Sequence, residues 1–212
     1  MKIPDNFRII DHALIHHKLS LIRNKNTGSK EFRELVTEAT MLLAYEATKD
    51  LSLNDAEVQT PITTAQVKTI VVADIVLVPI LRAGLGMVEG MLKLIPNAQV
   101  GYVGMERDHE THQPVDYYFK IPNQAHKKTF IVLDPMLATG GTIIATVDRL
   151  KDLGAESIMC MCIICAPEGM EAFYLQHQDV KVYTGALDDH LNSNKYIVPG
   201  LGDAGDRLFG TD

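Results

Sequence analysis

Apolar residues in this chain keep two different rhythms. Between residues 29 and 51, Phe32, Leu35, Val36, Ala39, Leu42, Leu43 and Ala47 recur every three or four positions, which places them on one face of a helix. That stripe is either core or a dimer surface. An N-terminal arm of about residues 1–28 precedes it. The stretch 56–67 alternates and contains Thr60-Pro61, predicting short peripheral strands or a sheet edge. From residue 75 onward, short unbroken apolar runs take turns with helical spacing. They predict strands at 75–80, 100–105, 115–121, 130–134, 158–165 and 180–184, and helices at about 85–94, beyond Thr142 to 153, and about 169–176. Unbroken apolar runs suit strands covered on both faces. The fold class is therefore α/β, a doubly wound, mostly parallel sheet flanked by helices, with ligands expected at the carboxyl ends of its strands. No internal repeat or low-complexity tract appears, and 212 residues, 46% of them hydrophobic, make one domain over 1–212 the default.

The most informative junction reads Phe130-Ile131-Val132-Leu133-Asp134-Pro135-Met136-Leu137-Ala138-Thr139-Gly140-Gly141-Thr142. A buried strand ends in a carboxylate, a glycine turn follows, and Ile143, Ile144, Val147, Leu150 and Leu153 then keep helical spacing up to Gly154. Amides of the turn and of the first helical turn have no partner inside the helix. A phosphate there meets those donors and the positive end of the helix dipole. Gly140 and Gly141 carry no side chain to block an anion, and the Thr139 and Thr142 hydroxyls add donors. The turn holds no lysine at the Walker position and is not a dinucleotide-binding GxGxxG. By itself a glycine turn can be a plain connection.

Two more glycine-containing segments stand beside it. Val76-Leu77-Val78-Pro79-Ile80-Leu81-Arg82-Ala83-Gly84-Leu85-Gly86 is a strand that runs into a turn with Arg82 at its tip. A planar guanidinium can bind two oxygens of a diphosphate, and Ala83 and Gly84 let backbone amides approach the same group. Tyr196-Ile197-Val198-Pro199-Gly200-Leu201-Gly202-Asp203-Ala204-Gly205-Asp206-Arg207 has too many glycines for a helix or a regular strand and reads as a shaped loop. Its backbone groups beside Ile197 and Leu201 offer a slot for a flat ring with an amide edge.

Charge and cysteine usage narrow the classes. The net charge is −7, with no basic cluster longer than Lys127-Lys128, so nucleic acid is an unexpected partner. No apolar stretch is long enough to cross a bilayer, and Met1-Lys2-Ile3-Pro4-Asp5-Asn6 lacks the apolar region of a signal peptide. No membrane partner and a cytoplasmic location are expected. Cys160, Cys162 and Cys165 share the apolar run 158–166, which reads as core thiols in a reducing compartment rather than a zinc or disulfide site. His12, His16 and His17 invite a metal assignment, since 12 and 16 are four apart, but solvated or capping side chains fit better.

The three glycine segments, in their order and spacing, resemble the uracil phosphoribosyltransferases, a branch of the type I phosphoribosyltransferase family. The wordings that carry it are 134–141, 76–86 and 199–206, with Asp11-His12 and His17-Lys18-Leu19 near the start. The resemblance implies a small hood, built from the N- and C-terminal segments and a β-hairpin, over a type I core. It implies formation of UMP and pyrophosphate from uracil and 5-phospho-α-D-ribose 1-diphosphate (PRPP). It makes 135–142 (Pro135, Met136, Leu137, Ala138, Thr139, Gly140, Gly141 and Thr142) the 5-phosphate loop and gives Asp134 the ribose hydroxyls. Arg82 becomes the diphosphate ligand on a strained peptide, with a cis bond as one form it could take. About residues 190–212 become the uracil segment, with Ile197, Gly202, Asp203 and Ala204 at the base. The polar turn 106–113 becomes a lid whose Arg107 contacts the diphosphate. Asp203 and Arg107 are the catalytic candidates. Asp203 either orders magnesium-bound water or assists removal of the ring proton.

Most type I members carry two adjacent acids where this chain has Leu133 and a single Asp134. Direct metal ligation there is therefore doubtful, and Mg2+ is expected to arrive on PRPP. GTP activates some relatives and is a candidate effector, although no motif here carries it. Family habit and the stripe at 29–51 point to a homodimer or homotetramer. Two other classes stay open. One is a regulator of the same fold that binds pyrimidine-gene RNA, which the acidic balance disfavours. The other is a transferase for another base.

Overall fold

The computed structural model describes residues 2–107 and 114–211, with the side chains of Ala73, Glu106, Arg107, Pro114, Val115 and Asp116 left outside that description. In chain order the elements are β1 Phe7–Ile9, α1 Ala13–Arg23, α2 Ser29–Ala47, β2 Asn54–Gln59, β3 Thr64–Thr69, β4 Ile75–Leu81, α3 Leu85–Leu94, β5 Gln99–Val100 and β6 Tyr102–Arg107. They continue with β7 Pro114–Lys120, β8 Thr129–Leu133, β9 Met136–Leu137, α4 Gly141–Asp152, β10 Ser157–Cys165, α5 Pro167–Gln176, β11 Lys181–Leu187, β12 His190–Leu191, β13 Ile197–Val198 and α6 Ala204–Phe209. The main sheet runs β1-β11-β10-β8-β4-β6-β7. Every neighbour along it is parallel except β6 and β7.

Strand residues alternate between two cores because successive side chains of a strand leave opposite faces of the sheet. Leu77, Ile131, Leu133 and Met161 pack on one side with Phe32, Leu35, Val36 and Met87 of α2 and α3. Val76, Val78, Phe130, Val132, Cys160 and Cys162 pack on the other with Ile143, Val147 and Phe173 of α4 and α5. Both faces are covered, which is why these strands read as continuous apolar runs. The three cysteines are free and buried, as expected of core thiols. Truncating Phe130, which is fully buried, would cost about 3–5 kcal/mol.

Several boundaries differ from the sequence reading. Helix α2 stops at Ala47, four residues short of 51: the Thr48 amide still donates to the Ala44 carbonyl, but beyond it the Lys49 and Leu51 amides turn to the carbonyls of Glu46 and Thr48, three residues back. Its apolar stripe is consumed by the chain's own core. The arm contains a helix, α1, and a strand, β1, that adds to the edge of the sheet. His12 caps α1 by accepting the Leu14 amide at 3.1 Å, and His16 contacts Asp11 at 2.8 Å. The strand at 100–105 breaks at Gly101, whose amide donates to the Leu77 carbonyl. The peripheral strands form a separate antiparallel hairpin, β2–β3. Among the described residues no helix is long and apolar enough to cross a membrane.

Candidate active site

The predicted phosphate loop leaves β8 under tight control. The Asp134 amide donates to the Met161 carbonyl, and the Pro135 carbonyl accepts from Ile163 and Ile164 at 2.9 and 3.1 Å. Met136 and Leu137 then pair with Ile164 and Cys165 as β9. The loop is thus stitched to β10 along its first half. At its far end Gly140 has φ +87° and leads into α4, which has no side-chain cap. Its first amides are left to an incoming anion. Helix α5 supports the loop from behind: a Cβ on Gly169 would come within 2.3 Å of the Ala138 carbonyl. The outer side is a cavity of about 190 Å³ lined by Asp134, residues 136–142, Ile143 and, from elsewhere in the chain, Lys195. Pro135 is buried behind this surface and does not line it.

Burial pushes the Asp134 carboxyl up to about 7, with a smaller upward push from Asp203; the Met136 amide, which Asp134 accepts at 3.3 Å, opposes both. Asp134 therefore senses the charge of Asp203, 69 residues away in the chain, at this cleft.

The Arg82 turn meets the same place. A Cβ on Gly84 would lie 2.3 Å from the Leu133 carbonyl, so the turn lies flat on the end of β8 beside Asp134. The Leu81–Arg82 peptide is cis. Arg82 reaches across to Asp206 of α6 at 3.4 Å and lies 6.0 Å from the Phe209 ring centre. Its side chain is 57% exposed, so this long contact holds it weakly and leaves it free to meet an anion. Residues 108–113 of the predicted lid, and the side chains of Glu106 and Arg107, lie outside the described residues.

The C-terminal segment departs from the expected loop. Its end is helical: Asp203 caps α6 by accepting the Asp206 amide at 2.9 Å. Ala204 and Leu208 are buried, and a short capped helix with an apolar inner side overrides the glycine content. Ile197 and Val198 pair with Leu191 and His190. Gly200 and Gly202 have φ +64° and +82°, which only a residue without a Cβ adopts easily. The Ile197, Leu201 and Ala204 side chains belong to the core, so what this segment presents at the cleft is backbone, flanked by the Asp203 carboxylate.

Three residues missed in the sequence hold this segment. Arg23 of α1 grips Asp188, and both touch the backbone of Gly200. Arg207 lies 4.2 Å over the Phe32 ring and donates to the Ile22, Asn24 and Leu201 carbonyls. Arg207 stood inside the glycine-rich wording and could have been noticed, whereas Arg23 and Asp188 are 165 positions apart. Among the described residues no three His, Cys, Asp or Glu side chains converge as a metal cage.

The sequence profile described as uracil phosphoribosyltransferase matches residues 9–211. The chain is 59% identical to a uracil phosphoribosyltransferase from Desulfitobacterium hafniense, over 96% of its own length and 97% of the relative's. It is 56% identical to one from Geobacillus kaustophilus over the same shares. A solved protein structure from Aquifex aeolicus superposes with TM-score 0.91 at 38% identity, covering 96% of this chain and 97% of that one. A hypoxanthine-guanine phosphoribosyltransferase from Bacillus anthracis shares the fold at TM-score 0.51 and 14% identity, covering 76% and 80%. The chain therefore belongs to the uracil phosphoribosyltransferase family.

Proposed function

We propose that this chain forms UMP and pyrophosphate from uracil and PRPP, in pyrimidine salvage. The observation that carries the reading is the convergence of an amide-lined loop, an arginine turn and a backbone-presenting C-terminal segment at the carboxyl ends of β4 and β8. In this reading the 5-phosphate sits on residues 135–142 with the amides of α4. Asp134 accepts the ribose hydroxyls. The backbone around Ile197, Gly202, Asp203 and Ala204 pairs with the uracil edge.

The bond from ribose C1 to the diphosphate breaks, a bond from the uracil ring nitrogen to C1 forms, and that nitrogen loses its proton. Negative charge grows on the departing diphosphate, so cations fixed beside it lower the barrier most. Arg82 and Arg107 take that role. Magnesium carried in with PRPP would help neutralise that charge. Two separate carboxylates, Asp134 and Asp203, suit its water shell better than direct ligation. Asp203 either orders such a water or assists removal of the ring proton.

The rest of the reading is broader. The chain works as one unit in the cytosol, where three unpaired thiols suit a reducing medium. It assembles as a homodimer or homotetramer. With the α2 stripe consumed by the core, support for assembly moves to exposed apolar residues such as Ile62 at the tip of the β2–β3 hairpin, 93% exposed. GTP remains a candidate effector.

Labelled uracil converted to UMP only when PRPP is present tests the central claim, with cytosine and hypoxanthine as competitors. Salt-sensitive retention of pyrimidine leader RNA on a filter, without UMP formation, would instead favour the regulator class.

A further inference from the structure

The phosphate loop contains no cation of its own. Residues 135–142 offer amides and two threonine hydroxyls, whereas a sugar 5-phosphate brings nearly two negative charges. Among the described residues the single basic side chain on the cavity wall is Lys195, which belongs to the turn between β12 and β13 rather than to the loop.

That turn is built. Asn192 accepts the Asn194 and Tyr196 amides on its side-chain oxygen at 2.9 and 3.0 Å, and its carbonyl accepts the Lys195 amide at 2.9 Å. Lys195 itself has φ +66°, an uncommon conformation for a residue with a Cβ. Glu168, at the start of α5, accepts the Leu191 amide at 2.9 Å and so ties β12 to the helix that backs the phosphate loop. Lys195 makes no ion pair with another side chain among the described residues. Glu168 senses its charge along with that of His190, and its carboxyl is held below the usual range chiefly by the Leu191 amide.

We infer that Lys195 is the counter-cation of the 5-phosphate subsite, supplied to its wall from outside the loop. The inference rests on the phosphoribosyl reading above and adds a consequence to it. The β12–β13 turn leads directly into the base segment, so one turn contacts the phosphate end of the substrate while its continuation presents the uracil site. Lysine serves such a site as a point charge.

The test uses three variants and three ligands. Lys195→Gly removes the charge and also relieves the left-handed backbone, so the protein stays folded, with an unchanged or raised Tm. Loss of one charge-assisted contact should weaken ribose 5-phosphate and UMP about tenfold in calorimetry, and raise the KM for PRPP similarly. Lys195→Arg should restore most of that affinity, and Lys195→Ala should follow Lys195→Gly. Pyrophosphate, which lacks the 5-phosphate end, should bind all variants alike. Unchanged ribose 5-phosphate and UMP affinity in Lys195→Gly overturns the inference, and so does equal weakening of pyrophosphate, which would mark a diffuse charge effect. In either case wild-type UMP formation would leave the functional reading standing. A wild-type protein that binds neither ribose 5-phosphate nor PRPP would sink both.

Discussion

Arg23 and Asp188 form a two-pronged ion pair, with Arg23 Nη1 donating to Asp188 Oδ2 at 2.7 Å and Nη2 donating to Oδ1. The pair also holds Gly200: its carbonyl accepts from Arg23 at 2.7 Å, and its amide donates to Asp188 at 2.9 Å. Asp188 is nearly closed to solvent, with a side chain 4% exposed. One ion pair thus fixes both backbone groups of a glycine whose φ is +64°, at the entrance to the base segment.

Arg23→Ala should therefore destabilise the fold by about 3–5 kcal/mol, because it strands a buried carboxylate. Arg23→Leu with Asp188→Leu should recover much of that loss, since neither charge then needs a partner. Urea unfolding of Arg23→Leu, Asp188→Leu and the double gives the coupling. If the pair also positions the base, the double variant should regain stability while its KM for uracil stays raised. A double variant as unstable as Arg23→Ala would show that the pair's charges are not what matters.

Arg207→Lys keeps a charge but loses the planar fork that serves three carbonyls above Phe32. About 2–3 kcal/mol of stability should go with it, on the scale of hydrogen bonds made by charged groups. The loss should appear in thermal unfolding, together with easier proteolysis after residue 200. Equal Tm values for Arg207→Lys and wild type would mean that the stack and carbonyl contacts contribute little.

How much of this was readable beforehand depends on the range of the interaction. Strands β4, β8 and β10 were legible because each is apolar on both faces, and the Asp134 loop because its residues are consecutive. Helix α6 was hidden: Gly205 argues against a helix locally, and only the Asp203 cap and the burial of Ala204 and Leu208 by distant elements decide for one. The end of α2 carries no glycine or proline, and only the switch of the Lys49 and Leu51 amides to carbonyls three residues back marks it. Lys195 carries no signal in its own neighbourhood, since what brings it to the phosphate loop is a backbone turn and the tie from Glu168 to Leu191.

Asp134 links stability to pH with a definite sign. Its carboxyl titrates near 7 when folded, against 3.8 as its ordinary value. Between those values the folded chain holds a proton that the unfolded chain has released. This group's contribution is full below about 4, falls as pH rises towards 7 and is flat above, by up to about 1.4 kcal/mol per pH unit. Asp134→Asn should remove that slope and be more stable than wild type at pH 8, by about 1–3 kcal/mol. It should also bind PRPP more weakly, because an amide cannot accept two ribose hydroxyls as a carboxylate does. Urea titrations from pH 5 to 8 on both proteins measure the difference; parallel curves would show that Asp134 ionises normally.

Asp203 presents the sharpest separation of structure from chemistry. One of its oxygens caps α6 by accepting the Asp206 amide. Asparagine caps a helix about as well as aspartate, so Asp203→Asn should keep the fold, with a Tm close to wild type. Asp203→Ala should lose the cap, at a cost of about 1 kcal/mol. If the carboxylate takes part in the reaction, turnover should fall by about two orders of magnitude or more in both variants, within the range that general acid–base catalysis supplies. A structural role alone would spare Asp203→Asn and damage only Asp203→Ala. The two variants, compared for kcat and Tm side by side, therefore separate the cap from the chemistry, and near-normal turnover in Asp203→Asn would remove Asp203 from the reaction altogether.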